Sequence, residues 1–201
     1  MIDLNSIPKS ESDILLNEWG YNLMDEYLRL ISSANFPRNS FILDVATGSG
    51  RAVSILSRMG FQILTGDYNL DMKYESEKRI TKEFLNRVKF AQINLEQIPF
   101  ENNTVSNIVS INTLHELENP FKCLDEIIRV HSPEGKMLLA DFNNDGFDVM
   151  DRSHKHRHNK LHPRGKISRE KLRSVLIDKY SEVQEINTQL NIGFLVSGKR
   201  N

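Results

Sequence analysis

Cysteine, net charge and long apolar runs are scarce in this sequence. Cys123 is the single cysteine among 201 residues, so it has no partner for an internal disulfide, which favours a reducing, cytoplasmic compartment. The formal net charge of -1 provides no overall attraction to nucleic acid or to an anionic membrane. No apolar stretch approaches the ~18 residues of a membrane-spanning helix, and residues 1–10 lack the pattern of a secretory leader. These absences predict a soluble, cytoplasmic protein without a membrane span.

An alternation of short apolar runs with amphipathic segments is the main pattern that the sequence does contain. Residues 12–33 repeat apolar side chains close to every 3.6 positions and predict one helix, bent at Gly20. Further on, the predicted strands are 41–45, 61–64, 88–93, 105–111 and 136–140, and the predicted helices between them are 51–59, 69–87 and 119–130. Near-continuous apolar strands separated by helices indicate an α/β fold with a parallel sheet covered on both faces.

The C-terminal part breaks this alternation. A helix is predicted over 168–179, and two strand-like runs, 181–188 and 191–198, follow too closely for a helical crossover. We therefore expect them to pair as an antiparallel hairpin. The chain divides into an N-terminal helical cover, 1–38, and an α/β domain, 39–201. The cover is expected either to close the mouth of a site or to join a homodimer interface.

The segment after the first predicted strand places glycines where a ligand would approach the backbone. Gly48 and Gly50 lack a Cβ, and the helix that follows offers free N–H groups. Asp44 lies in the strand, and Asp67 follows about 20 residues beyond the loop, the spacing typical of a carboxylate that binds ribose hydroxyls. Three interpretations stay open: a site for S-adenosylmethionine, a dinucleotide site that lacks the third glycine of its motif, or a tight turn without a ligand.

Several ordered motifs resemble those of class I S-adenosylmethionine-dependent methyltransferases, in the subgroup that includes the ubiquinone/menaquinone-type enzymes. ILDVATGSG (42–50) resembles the first motif, GDYNLDM (66–72) resembles the second, and 90–117 and 124–142 resemble the segments that follow. The resemblance implies a Rossmann-like, doubly wound, mostly parallel seven-stranded sheet of order 3-2-1-4-5-7-6 with an antiparallel C-terminal hairpin. It also implies methyl transfer from S-adenosylmethionine to a small-molecule acceptor.

The same resemblance implies a set of cofactor-binding residues. These are Asp44, Ala46, Gly48 and Gly50 at the methionine end, Asp67 at the ribose hydroxyls, Tyr68 at the ribose or adenine, Asn94 and Leu95 at the adenine, and Asn112 near the methyl group. Two positions depart from the family: Ala46 stands where glycine is common, and Asn94 stands where aspartate is usual. An asparagine carbonyl still accepts a hydrogen bond from the adenine amino group.

His115 is the candidate catalytic residue, because its loop should open at the carboxyl edge of the sheet. Methyl transfer by direct displacement needs alignment and exclusion of water, and a base only if the acceptor arrives protonated. His115 is thus interpreted as a base or an acceptor contact, with a loop-packing histidine as the alternative. Asp141 either holds a cationic substrate or caps its loop. His131 is interpreted as a cation at a helix C-terminus, and Cys123 as a core residue.

Residues 151–166 form a basic, histidine-rich segment with three interpretations. It is a lid that binds an anionic substrate, a mobile loop without a ligand, or a metal site in which His154, His156 and His158 share one face of an extended segment. The interleaved cations argue against a metal, so no metal ligand is assigned. The lack of interleaved aromatic residues argues against nucleic acid.

Three other functions compete with methyl transfer, the most remote of them a metal-handling protein built around the histidines, and two need comment. One is a non-catalytic S-adenosylmethionine-binding partner or regulatory protein, and the other is a nicotinamide-dependent oxidoreductase. The missing third glycine and the C-terminal hairpin argue against the second. The sequence does not identify the acceptor.

Overall fold

A computed structural model describes residues 2–200 and contains one seven-stranded sheet flanked by seven α-helices in that part of the chain. The helices are α1 (Glu11–Glu18), α2 (Leu23–Ala34), α3 (Arg51–Arg58), α4 (Met72–Ile80), α5 (Pro120–Val130), α6 (Asn144–His158) and α7 (Arg169–Lys179). The strands are β1 (Phe41–Val45), β2 (Gln62–Asp67), β3 (Val88–Gln92), β4 (Val105–Ile111), β5 (His131–Phe142), β6 (Tyr180–Asn187) and β7 (Asn191–Lys199). Over these residues, no helix combines the length and apolarity needed to cross a bilayer.

The sheet has the order β3-β2-β1-β4-β5-β7-β6, which confirms the predicted fold class. The first five strands are mutually parallel, and β7 runs antiparallel to both β5 and β6, as predicted for the closing hairpin. The register pairs Val45 with Gly66 and Ile111 with Ala140. The carboxyl ends of β1, β2, β4 and β5 therefore meet at one edge, where open α/β sheets bind their ligands.

Apolar side chains fill both faces of the sheet. One layer packs α5 and α7 against it through residues such as Leu124, Ile127 and Leu176. The other layer packs α2 and α3 against it through residues such as Leu30 and Leu56. Each of these side chains is at most 1% exposed and contributes about 1.5–3 kcal/mol by its burial. The rigid layers hold the loops at the carboxyl edge in place.

The predicted single helix over 12–33 is wrong, because the structure has two helices there. The chain turns at Gly20, whose φ of +86° lies in the left-handed region where glycine has no Cβ penalty. Asn22 then caps α2, its side-chain oxygen accepting from the Asp25 backbone N–H at 3.1 Å. The 3.6-residue apolar period continues across the break, so periodicity alone did not reveal the turn.

Two predicted boundaries also differ from the structure. The helix predicted over 69–87 ends at Ile80, because Thr81 adopts φ +69° and residues 85–87 form a separate 3₁₀ turn. The strand predicted over 136–140 starts earlier, at His131. Gly135 allows this extension, since a Cβ there would lie 1.9 Å from the Ser106 carbonyl oxygen on β4.

The histidine-rich segment is not an extended loop. Residues 151–158 form the C-terminal half of α6, which begins after Asn143, whose side chain accepts from the Gly146 N–H at 2.8 Å. Basic residues in the last turn favour the helix because they face the negative end of its dipole. On a helix, His154 and His158 lie one turn apart, whereas the ring of His156 meets Trp19. The predicted common face of three alternate histidines is therefore absent.

Candidate active site

A cavity of about 1210 Å³ opens at the carboxyl edge of the sheet. The glycine loop after β1 lines one side, and the loops after β2, β3 and β4 line the next. The C-terminal half of α6 and residues 9–12 of the N-terminal segment also line the cavity. The cavity thus unites segments that the sequence analysis treated separately.

Asp44 sits buried at the floor of this cavity, 2% exposed. Its carboxylate accepts from the Thr65 hydroxyl at 2.7 Å, and Thr65 in turn lies 2.6 Å from the Thr47 hydroxyl. Burial raises the pKa of Asp44 to about 7, opposed by the Thr65 hydrogen bond and aided by the negative charge of Asp67. A positively charged ligand group beside Asp44 would favour its ionised form.

The glycine loop curls under the cavity with left-handed backbone at Ala46 (φ +61°) and Gly48 (φ +49°). The Gly48 N–H donates to the Asp67 carboxylate at 3.0 Å, and the other oxygen of Asp67 accepts from the Asn69 N–H at 3.0 Å. Asp67 is thereby held at the cavity wall, beside Tyr68, whose ring is 72% exposed. This part of the wall presents an oriented carboxylate next to an accessible aromatic face.

Gly50 differs from the other loop residues because it does not line the cavity. It caps α3 with φ +80°, and a Cβ there would lie 2.6 Å from the Ser76 Cβ on α4. The requirement for glycine at this position therefore comes from close packing of α3 against α4. Its predicted contact with the cofactor stays untested.

The loops after β3 and β4 complete the wall. Asn94 accepts from the Glu96 N–H at 2.9 Å, and the buried Leu95 lies beside it. Asn112 adopts φ +56° and donates to the Tyr27 hydroxyl at 3.4 Å. The side-chain amide oxygen of Asn112, Oδ1, is buried with no hydrogen-bond partner among residues 2–200, although the residue lines the cavity. Such an unpaired acceptor is suited to a ligand donor.

His115 follows β4 on a short turn and is only 4% exposed. Asp141, at the end of β5, accepts from the His115 backbone N–H at 3.0 Å and also from its Nδ1. Nε2 faces the cavity side, 3.7 Å from the Glu116 carboxylate. Although burial opposes it, hydrogen bonds to Asp141 and Glu116 raise the pKa of His115 to about 9. Asp141 thus orients His115, and the interpretation of His115 as a base or an acceptor contact stays a prediction.

Two histidines of the basic segment join this group. His162 Nε2 lies 2.9 Å from His115 Nε2, and His162 Nδ1 lies 3.1 Å from His154 Nε2. The segment approaches closely because Gly165, at φ +76°, packs against the His115 backbone, where a Cβ would lie 2.5 Å from Cα. We define His115, His154 and His162 as the histidine cluster.

The interpretation of His131 as a helix-capping cation is wrong. The residue is fully buried, with its ring 3.0 Å from the Tyr180 hydroxyl. Burial, together with the nearby positive charge of Lys199, lowers the pKa of His131 to about 4. It is therefore a neutral core residue. Cys123 is buried on α5, as predicted.

Two residues near the cavity, Asp13 and Tyr27, were not predicted from the sequence to have a role there. Asp13 on α1 forms ion pairs with Arg51 and Arg79, each at 2.8 Å, and so ties the N-terminal segment to the helices beside the glycine loop. Tyr27 reaches the cavity from α2. Asp13 stands three residues after Ser10, the spacing of a capping box, but no local signal links it to Arg51 or Arg79. Tyr27 fits the apolar face of an ordinary helix.

Comparisons with known proteins relate the chain to methyltransferases. A family model described as a methyltransferase domain matches residues 43–139. A demethylmenaquinone methyltransferase of Clavibacter sepedonicus is 26% identical over 102 residues, which span 51% of this chain and 41% of that protein. A ubiquinone/menaquinone biosynthesis C-methyltransferase of Pectobacterium atrosepticum is 25% identical over 158 residues, which span 69% of this chain and 63% of that protein. The chain thus spans about half the length of these curated relatives.

Solved structures share the fold. A SAM-dependent methyltransferase from Aquifex aeolicus superposes with a TM-score of 0.64 at 20% identity, covering 94% of this chain and 98% of that one. Phosphoethanolamine N-methyltransferase 2 of Haemonchus contortus, in complex with S-adenosyl-L-methionine, superposes with a TM-score of 0.66 at 15% identity. The superposition covers 95% of this chain and 58% of that one. At these identities the likeness concerns the fold.

Proposed function

Because this chain belongs to the class I S-adenosylmethionine-dependent methyltransferase family, we propose that it transfers the methyl group of S-adenosylmethionine to a small-molecule acceptor. The matched domain and the sheet order confirm the family and the fold predicted from the sequence. S-adenosylmethionine, the predicted cofactor, is the cofactor of that family. The observation that carries the proposal is the cavity in which eight of the nine predicted cofactor residues meet.

The polar groups of the cavity suit the charges of this cofactor. Asp44 is a buried carboxylate without a cationic partner among residues 2–200, and it would bind the ammonium group directly or through water. The unpaired carbonyl of Asn112 offers a second acceptor nearby. Asp67, already oriented by Gly48, would accept from the ribose hydroxyls, and Tyr68 would cover the ribose or adenine. Asn94 and Leu95 would border the adenine.

The remaining residues would position the acceptor. When bound, S-adenosylmethionine supplies an electrophilic methyl group that is transferred by direct displacement. His115, held by Asp141, would contact and orient the acceptor. The rings of His115 and His162 are buried, which limits their motion and favours a fixed alignment of the acceptor.

The segment before α2 would act as a cover. Residues 9–12 line the cavity, and the buried Asp13 anchors them through its ion pairs with Arg51 and Arg79. This favours the predicted cover over a homodimer contact for this segment. A cytoplasmic location belongs to the same proposal, since the cofactor is an intracellular metabolite.

The acceptor side of the cavity carries positive charge. Arg157 lines the cavity, and its Nε is buried without a hydrogen-bond partner among residues 2–200. An acceptor with an anionic group would pair with it. The names of the relatives make a precursor of ubiquinone or menaquinone the first acceptor to test.

The test is formation of S-adenosylhomocysteine from S-adenosylmethionine with a panel of hydroxylated aromatic and carboxylated acceptors. We expect acceptor-dependent turnover by the wild type and a loss of at least about tenfold in kcat in His115→Ala, with His158→Ala, an exposed change on α6, as the control. Cofactor binding without turnover across the panel would contradict the proposal and favour a non-catalytic binding partner.

A further inference from the structure

We propose that His115, Glu116 and His162 bind a divalent transition-metal ion, such as Zn²⁺, on the acceptor side of the cavity. One ligand atom from each lies within 4.8 Å of the others. The two Nε2 atoms are 2.9 Å apart, and Glu116 Oε1 is 3.7 Å from His115 Nε2. Four-coordinate zinc with bonds of about 2.0–2.2 Å places neighbouring ligand atoms about 3.3–3.6 Å apart. Small side-chain adjustments would therefore bring all three atoms onto one ion.

The far side of each imidazole is already held in the way that metal sites require. Asp141 accepts from His115 Nδ1, so Nε2, which faces His162, is the nitrogen that would give up its proton to a metal ion. On the other ring, His162 Nδ1 is occupied by His154, 3.1 Å away, which leaves its Nε2 facing His115. A carboxylate or another acceptor behind a ligating histidine fixes its tautomer and orientation. Both Nε2 atoms are thus aimed at one point.

The three ligands suit a transition-metal ion and leave one of its coordination positions open. Two imidazoles and one carboxylate favour zinc and its neighbours over Mg²⁺ or Ca²⁺, which prefer oxygen ligands alone. The imidazoles are buried, whereas the Glu116 side chain is 59% exposed, and all three residues line the cavity. The open position would face the cavity, where an oxygen or nitrogen of the acceptor would bind and become more acidic.

One of the interleaved cations that argued against a metal, Arg164, is neutralised by the fold, whereas Arg157 lines the cavity with its Nε unpaired among residues 2–200. Arg164 pairs with Asp148 and Asp151 at 2.7 and 2.6 Å. Lys166 donates to the Glu118 carbonyl at 2.7 Å. The proposed ligands also differ from the predicted set of His154, His156 and His158: two of them come from the loop after β4, and the third lies 47 residues further along the chain.

The experiment uses the full chain after treatment with a chelator, titrated with Zn²⁺ by calorimetry and with Co²⁺ by visible absorption, without cofactor or acceptor. We expect one ion per chain and the intense absorption bands of low-coordinate Co²⁺. His162→Ala and Glu116→Gln should each weaken binding at least tenfold, and Asp141→Asn by about 10–100-fold. His156→Ala, which changes an exposed histidine on the same segment whose ring contacts Trp19, is the matched control. Glu116→Gln is an exposed change, so it separates ligand loss from misfolding of His162→Ala.

The expected result is weaker binding in the His162, Glu116 and Asp141 variants and wild-type binding in the control. Equal binding by the control and the Glu116 and His162 variants, or no Co²⁺ absorption, would overturn the proposal and leave the histidine cluster as a hydrogen-bonded chain. The proposal deepens the proposed function, but this titration needs no methyl transfer. A metal-binding chain without turnover would therefore contradict only the proposed function, and turnover without metal binding only the metal site.

Discussion

Asp13→Asn should destabilise the protein strongly, although the residue lies outside the sheet. Its carboxylate is 4% exposed and is paired with Arg51 and Arg79 at 2.8 Å each. It also accepts from the Ser10 N–H at 2.9 Å in the capping box of α1. Removing one partner from a buried ion pair costs about 3–5 kcal/mol, because the other charge is left uncompensated. A domain of ordinary stability, about 5–15 kcal/mol, would survive this loss with a clearly lower urea midpoint.

The matched control for this change is Asp25→Asn. Asp25 pairs with Arg29 at 2.7 Å on α2, but the two side chains are 39% and 68% exposed. Such a pair contributes less than about 1 kcal/mol. Urea unfolding followed by circular dichroism measures both variants. If Asp13→Asn and Asp25→Asn shift the free energy of unfolding by the same small amount, the reasoning about the buried pairs is refuted.

The same pairs set a dependence on acidity. Burial would raise the pKa of Asp13, but Arg51, Arg79 and Ser10 outweigh it and hold the pKa well below its usual value of 3.8. A carboxyl with a depressed folded-state pKa stabilises the fold above its unfolded-state pKa and loses this contribution as the pH falls below it. The wild type should therefore lose more stability below pH ~4 than Asp13→Asn does.

Two further predictions concern packing and a buried histidine. Gly50→Ala should reduce the stability by about 1–3 kcal/mol more than Gly20→Ala does. Both glycines have positive φ, but a Cβ at Gly50 would lie 2.6 Å from Ser76, whereas a Cβ at Gly20 would have no atom within 4 Å. Thermal unfolding compares the two variants, and equal losses of stability would contradict the clash. The pKa of His131 is lowered from 6.5 to about 4 in the folded protein. As the pH falls from 6.5 to 4, the unfolded chain therefore binds a proton at this residue before the folded protein does, and the free energy of unfolding decreases by at most about 3 kcal/mol. His131→Phe should flatten this part of the stability–pH curve, and an unchanged slope would show that His131 is not the group responsible.

The sheet was predictable because its signals are local. The apolar run 41–45 matches β1 residue for residue, and the short gap before 191–198 leaves only a hairpin. Helix ends were harder to predict. The 3.6-residue period runs through Gly20 without a break, and the stop of α4 at Thr81 depends on a left-handed backbone angle rather than on a glycine or proline.

The candidate site was predictable where a motif carries it and not where distant residues meet. The loop from Asp44 to Gly48 lines the cavity, as the motif implies. His162 and His115, by contrast, are 47 residues apart and meet only because the segment after α6 folds back over the loop after β4. Gly165 permits this approach, but in the sequence it is one more glycine of a polar segment.

Calorimetric titration with S-adenosylmethionine, S-adenosylhomocysteine and NADH tests the central claim most directly. We expect the first two to bind to the wild type and NADH not to bind. Asp67→Ala should lose about 10–150-fold in affinity, the equivalent of a charged hydrogen bond of about 1.5–3 kcal/mol. Asp71→Ala is the control, since this exposed carboxylate makes no capping hydrogen bond. Failure to bind S-adenosylmethionine, or equal affinity in Asp67→Ala and Asp71→Ala, would contradict the account.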